Sequence, residues 1–439
     1  MAPLALALLL ALFQTPAPVP QDTTEAPQTE TEEAAADVAE VTDVLDDDSA
    51  YDRDEEDGPG LQFRPRVAPS ALYSSNRGFG IGGGVGIRNV FYPGTDLVLD
   101  LRLQQRYQGA DVTFYSDDPY ETERHLLVSA GASTTERRRY FGLGPNTVPD
   151  SEINLYHDAA QAEVRFGYYP FGTTVLYLQP GVRALYDYSG GVNLGASEDG
   201  LALLDERSRE AVQIAEDESR YGLSPGLEIA TDLRDWPAYP RSGGFATLEA
   251  RRFFALDGSD LRIDRLAGSY IGYIPIRGRT TIIVRGVGIV TRSADSDDDG
   301  ERDPIPFYYL PTLDDRVATA FKQDRLTGRD IVAFGTGIRA PLYDFLGAYG
   351  IDGLVMGYVG NAYDNVFEQF RPTVSFEEGS TVTDGRTALR PAIGVGLGLV
   401  NLDKERVVLG GLLGIGPGGV TVATLRIAYD LRDARPLFR

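Results

Sequence analysis

The chain has 439 residues, a net charge of −24, 42% hydrophobic residues, 50 glycines, 24 tyrosines, 19 phenylalanines and no cysteine. Such acidity excludes a nucleic-acid partner, because phosphate contact needs a basic face, and the missing thiols exclude cysteine metal ligation and a lipoprotein anchor. Beyond the N-terminus no apolar run reaches the roughly 18 residues that a membrane-spanning helix requires.

Leu4 to Phe13 form an apolar core followed by Gln14, Thr15, Pro16 and Ala17, which reads as a secretory signal over 1–17, although its first residues carry no Lys or Arg. Residues 18–60 follow as an acidic tether. Between 21 and 60 sixteen Asp and Glu face the single Arg53, so this stretch has too little apolar surface to fold alone and is expected to be a disordered periplasmic segment. From Leu61 the text changes to segments of about ten residues with alternating apolar and polar positions, parted by Gly, Pro, Asp and Asn. In 96–104, Leu97, Leu99, Leu101 and Leu103 share one face and Asp100, Arg102 and Gln104 the other. The same two-residue period sets Thr281, Ile283, Arg285 and Val287 against Ile282, Val284 and Gly286, and Val420, Val422, Thr424 and Arg426 against Thr421, Ala423, Leu425 and Ile427.

The predicted strands lie near 65–74, 79–91, 96–108, 124–138, 154–168, 173–187, 220–232, 244–256, 260–275, 279–292, 330–341, 353–362, 388–400, 405–415 and 420–431. A bacterial barrel with both ends in the periplasm needs an even number, and 61–439 at roughly 24 residues per strand and connection points to 16. The remaining strand is expected in 109–123 or 196–215. The reading is therefore all-β: a transmembrane antiparallel barrel of 16 strands over 61–439. Aromatic residues at segment ends, such as Phe91 and Tyr92 or Phe307 to Tyr309, fit interfacial girdles.

Several stretches carry a family resemblance. Residues 232–245, with Asp232, Arg234, Asp235, Pro240, Gly243 and Gly244, resemble the strand–turn–strand signature of the bacterial surface antigen family, the barrel domain of BamA/TamA-like assembly factors. Tyr140 to Thr147 resembles the Phe-x-Gly-x-Gly-Asn segment of that family, and 303–342 resembles its long external loop, including Gly328 and Arg329. The resemblance implies a long loop folding toward the lumen. In the family, an arginine of that loop meets an Asp-x-Gly carboxylate on a nearby strand. Here Thr319, two residues before Phe321, stands where that arginine belongs, and Tyr358, two residues before Gly360, where the aspartate belongs. Losing both members together is consistent with the cost of leaving either one buried alone; Arg316 or Arg325 is the alternative from a shifted register. The periplasmic POTRA domains of the family have no counterpart in 21–60.

Other candidates are weaker. Asp295, Asp297 and Asp299 before Gly300 resemble the first half of a calcium loop, with Pro306 where the bidentate glutamate belongs; a solvated acidic loop is the stronger reading. Neither His125 nor His157 has a nucleophile motif such as Gly-x-Ser-x-Gly, so no enzyme and no cofactor are expected. Arg124 and the run Arg137, Arg138 and Arg139 pair either with lumenal carboxylates, the favoured reading, or with lipid phosphates. The expected partners are outer-membrane lipid and either unfolded barrel clients or a periplasmic protein. The resemblance implies a bacterial outer-membrane protein acting in membrane-protein assembly or translocation; a channel or structural surface barrel is the alternative.

Overall fold

A computed structural model describes residues 66–427, apart from 75–76, 89, 92–94, 117–123, 169–176, 195–201, 218–219, 237–238, 295–302, 314–317, 319, 323, 346, 378–384, 404 and 418. For β1, β7 and residues 421–427 of β20 it describes the backbone alone. The signal and tether readings of 1–60, together with Thr319, Asp295, Asp297, Asp299 and the His125 side chain, lie outside the described residues.

The described chain is mostly strand. In order these are β1 (Arg66–Ser74), β2 (Gly78–Arg88), β3 (Thr95–Gln104), β4 (Tyr107–Ser116), β5 (Arg124–Tyr140), β6 (Ile153–Tyr168), β7 (Tyr177–Leu194), β8 (Arg220–Leu223), β9 (Gly226–Asp232), β10 (Gly243–Ala255), β11 (Arg262–Arg277) and β12 (Thr280–Ser293). They continue as β13 (Thr312–Leu313), β14 (Leu326–Thr327), β15 (Asp330–Phe345), β16 (Tyr349–Tyr363), β17 (Phe370–Val374), β18 (Thr387–Asn401), β19 (Arg406–Gly416) and β20 (Gly419–Ile427). Helix α1 (Glu206–Asp217) lies between β7 and β8, and a single helical turn, Val366–Gln369, precedes β17.

One antiparallel ladder runs through β1 to β7, then β10, β11, β12, β15, β16, β18, β19 and β20. Both β8 and β9 pair with β7 on one side and β10 on the other. They are two pieces of one strand, parted at Ser224 and Pro225, where proline cannot donate to a ladder. The last strand also meets the first, through Leu72 opposite Arg426 and Tyr73 opposite Leu425. The strand missing from the sequence reading is β4. Gln105 and Arg106 turn the chain without a residue of positive φ, so no Gly or Asn marks the corner and 96–108 reads as one strand. The other candidate region, 196–215, holds α1 instead.

The strand period sorts side chains onto two faces. Leu99, Leu101 and Leu103 of β3, Val164 and Phe166 of β6, Leu227 and Ile229 of β9, Leu266 and Ile274 of β11, Phe334 and Ile338 of β15, and Val395 and Leu397 of β18 are all exposed on the outer face. The inner face is mixed and polar. There Arg165 bonds Glu163 at 2.9 Å and Glu228 at 3.3 Å, Arg251 lies 3.5 Å from Glu249, and Thr247 meets Ser269 at 2.8 Å.

Long connections gather at one end of the ladder: 141–152, 195–219, 294–329 and 364–386. There α1 lays Ser208, Ala211, Val212 and Ala215, all buried at helical spacing, toward Tyr140, Ile153, Leu155 and Phe307. Asp205 starts this helix by accepting the Ser208 N–H at 2.8 Å. At the opposite end the described connections include the two-residue turn at 278–279 and the longer 233–242.

Candidate functional site

The connection from β12 to β15 does not stay outside. Leu313, Ala318, Ala320, Phe321 and Leu326 are fully buried and pack on Ile283, Val287, Ile331, Ala333, Met356, Tyr358, Ala362 and Ala392 from the inner faces of β12, β15, β16 and β18. The described part of this connection thus packs against the strands. Gly360 gives it room: a Cβ there would lie 2.9 Å from the Leu313 side chain. Gly328 donates its N–H to the Pro311 carbonyl at 3.2 Å, beside the β13–β14 pair.

The loop's fully buried arginine is Arg325. Its guanidinium bonds the Thr147 hydroxyl at 2.5 Å and the Thr147 carbonyl at 2.7 Å, and stands 5.0 Å from the Phe141 ring centre. Asp324, with φ of 59°, makes the left-handed turn before it, a conformation that aspartate tolerates better than most residues. The 140–147 segment docks further along the loop through Gly144 N–H to the Thr327 carbonyl at 2.7 Å, and Arg390 of β18 bonds the Pro145 carbonyl. Thus two of the stretches singled out by resemblance touch each other. The arginine that joins them is Arg325, through Thr147. Tyr358 is buried in the apolar cluster beneath the loop, and its ring lies over Gly335 of the neighbouring strand, where a Cβ would come within 2.5 Å of it.

Carboxylates tie the loop's two ends. Asp330, fully buried, takes Arg292 at 2.7 Å, the Val366 N–H at 2.8 Å and the Thr291 N–H at 3.2 Å. Arg329 lies 3.4 Å from Asp364, which also bonds Arg207 of α1 at 2.8 Å. The arginine run is used internally. Glu152 pairs with Arg139 at 3.2 Å and Arg137 at 3.5 Å and accepts from Lys322 at 3.5 Å, while Arg138 stands 5.0 Å from the Phe307 ring centre. His157 is buried and stacks on Tyr308, ring centres 5.4 Å apart.

The turn motif of 232–244 lies at the other end. Arg234 grips Asp232 with Nε at 2.8 Å and Nη2 at 2.6 Å, and Asp235 accepts the backbone N–H groups of Trp236 and Arg241, each at 2.9 Å. Burial raises the Asp235 pKa, but backbone donors from Arg241, Ser242 and Trp236 outweigh it and hold the carboxyl below its ordinary range. Gly243 needs its φ of 84°, and a Cβ there would fall 1.9 Å from the Leu233 carbonyl; Gly244 accepts the Leu233 N–H at 2.8 Å. The motif thereby throws Tyr239 and Pro240 inward, where both are buried. Tyr239 bonds Asp352 of β16, and Arg339 of β15 bonds the Pro240 carbonyl and stacks 3.9 Å from the Tyr239 ring centre. Arg241 reaches Glu405 in the β18–β19 turn at 2.6 Å, and Arg279 bonds Asp344 at 2.5 Å and Asp352 at 3.4 Å. Burial first, and then the bond to Asp352, push the Tyr239 phenol up to about 12.

A third feature is the junction of the first and last strands. There Leu72 stands opposite Arg426 and Tyr73 opposite Leu425.

No protein-family model matches the chain, and no curated protein matches its sequence. Solved structures do match. BamA from Haemophilus ducreyi lacking POTRA domains 1–3 aligns over 83% of this chain and 70% of its own, with a TM-score of 0.54 and 14% identity. CdiB from Escherichia coli aligns over 84% of this chain and 64% of its own, with a TM-score of 0.50 and 10% identity; this chain thus spans less than two thirds of CdiB. In fold, the chain is similar to the outer-membrane β-barrels BamA and CdiB.

Proposed function

We propose that the chain is a closed sixteen-stranded transmembrane barrel of the bacterial outer membrane that acts in the assembly or translocation of outer-membrane proteins. The observation that carries this reading is the β1–β20 junction. Opening the wall there would present two strand edges to an incoming strand. The outer face supports the membrane setting. Exposed Leu, Val, Ile and Phe recur on strand after strand around the ladder, far more contiguous apolar surface than a soluble monomer tolerates. The chain's likeness in fold to BamA and CdiB supports the same setting.

The test uses the absence of native cysteine. Tyr73→Cys with Leu425→Cys places a pair at opposed backbone positions, within reach of a disulfide. Refolded into liposomes, the reduced protein is expected to speed insertion of an unrelated urea-unfolded barrel relative to empty liposomes, and the oxidised protein to lose that acceleration. Equal acceleration in both states removes the junction from the mechanism. A second reading, a channel or structural surface barrel without insertase activity, draws on the paired arginines and carboxylates of the inner face, such as Arg165 with Glu163 and Glu228. Steady conductance without acceleration, recorded on the same liposomes, decides for the channel.

A further inference from the structure

The outer wall is not uniformly convex. Across β15, β16, β18 and β19 a groove of about 870 Å³ opens near the end that carries the long connections. That size lies within the range typical of ligand sites. Its floor is made by Thr336 and Gly357, paired in register, with Ile393 facing Gly357 from the next strand. A Cβ added at Gly357 would find only the Thr336 carbonyl within 4 Å, at 3.8 Å, so the floor is open rather than filled. Its sides are Phe334, Ile393 and Ile415, all exposed on the outer face. Its roof is Phe376, which follows β17 and is 86% exposed, with Val374 exposed beside it. Backbone holds this roof in place: the Ser375 N–H bonds the Leu389 carbonyl at 2.9 Å.

We propose that this groove binds one acyl chain of a bilayer lipid, with the lipid's polar end at the rim formed by Ser375 and Glu377. The walls offer methyl groups and aromatic faces to a slender apolar occupant, and Ser375 and Glu377 bring polar groups to the lining. The groove is continuous with the exposed apolar face along the same strands, including Ile338, Val355, Val395 and Leu397, so the medium that wets that face also fills the groove. An aromatic ring projected over such a face next to polar residues suits the boundary between acyl chains and headgroups. A chain held beneath Phe376 is expected to exchange more slowly than lipid elsewhere around the wall, because leaving requires passing the roof. The inference rests on reading the chain as a membrane-spanning barrel.

The experiment is acyl-chain photolabelling of the full-length protein in liposomes of phosphatidylethanolamine and phosphatidylglycerol doped with a diazirine-bearing phosphatidylethanolamine. Heat-modifiable migration and resistance to carbonate extraction report independently on the folded, membrane-inserted state. Label is expected to concentrate on peptides containing Phe376 and Pro391 to Ile393. Gly357→Trp, which fills the floor from outside, and Phe376→Ala, which removes an exposed ring and spares the fold, are each expected to lower that label by roughly tenfold. Gly288→Trp, which adds the same bulk to open outer wall on β12, should leave it unchanged. Label spread evenly around the wall, or retained in full by both groove variants in inserted protein, overturns the proposal. Cross-links joining two copies through the groove peptides overturn it in favour of self-association. Protein that fails the extraction test removes the barrel reading, and this inference with it.

Discussion

At the scale of single residues, Arg325 is the most consequential side chain in the in-folded loop. Arg325→Lys keeps the charge but gives up the two-pronged hold on Thr147 and the stacking on Phe141. The expected loss is about 1–3 kcal/mol, read as a lower urea midpoint for proteolysis of the 303–330 connection. Arg325→Ala should cost more, because the Thr147 acceptors would then be buried without a donor. The inner-end turn should fail at both extremes of pH. A folded pKa of about 12 for Tyr239, against an ordinary value of 10, means that its contribution is complete below about pH 10 and disappears as pH rises through about 12. The depressed pKa of Asp235 acts in the opposite sense: its contribution is present above the ordinary carboxylate range and disappears as pH falls through the lowered value. Protease cleavage within 233–242, followed across pH, should rise at both limits, and Tyr239→Phe should abolish the alkaline one. Little of this was legible in sequence. Arg316 and Arg325 are equal alternatives in a linear text, and what marks Arg325 is Thr147, 178 residues away.

At the scale of elements, β4 and α1 show what periodicity does and does not reveal. Alternation found the wall strands because outer and inner positions differ in polarity at every second residue. It missed β4 because Gln105 and Arg106 turn within the ordinary backbone range, so the text carries no corner. It missed α1 because the buried stripe of Ser208, Ala211, Val212 and Ala215 is made of small residues, a faint signal beside a predominantly strand-like pattern. Helix α1 packs on loop and strand-end residues rather than on the wall itself. Val212→Asp, which leaves a carboxylate without a buried partner, is expected to cost more than about 3 kcal/mol locally. It should open the 195–219 and 303–330 connections to protease while heat-modifiable migration persists. Joint loss of that migration would instead make α1 part of the barrel's own stability. The turn motif of 232–244 was legible as a motif, but not its role of projecting Tyr239 onto Asp352 and Arg339, which are contributed by strands three and four neighbours further round the ladder.

At the scale of the whole molecule, the two-faced wall predicts a position-dependent cost of charge. Val395→Arg, on the outer face in the middle of β18, should cost about 2–4 kcal/mol of folding free energy in bilayers. Thr247→Arg, on the inner face of β10, should cost far less, and equilibrium unfolding in liposomes compares them directly; similar costs would argue against lipid on the outer side. The wall was legible because the strands repeat the same pattern, whereas which backbone positions of β1 meet β20 was not, since no local residue encodes a register at the opposite end of the chain. The long span between Arg325 and Thr147 also bears on the order of assembly. The loop and the strands it packs on, β12 to β18, are close in sequence, so their contacts form at low entropic cost, while the Arg325–Thr147 bond closes a far longer loop. A refolding chain is therefore expected to pass through a stage in which the C-terminal wall already holds its inserted segment and the N-terminal hairpins pair only with one another. Capture of 140–147 then comes late, and joining the first strand to the last comes later still.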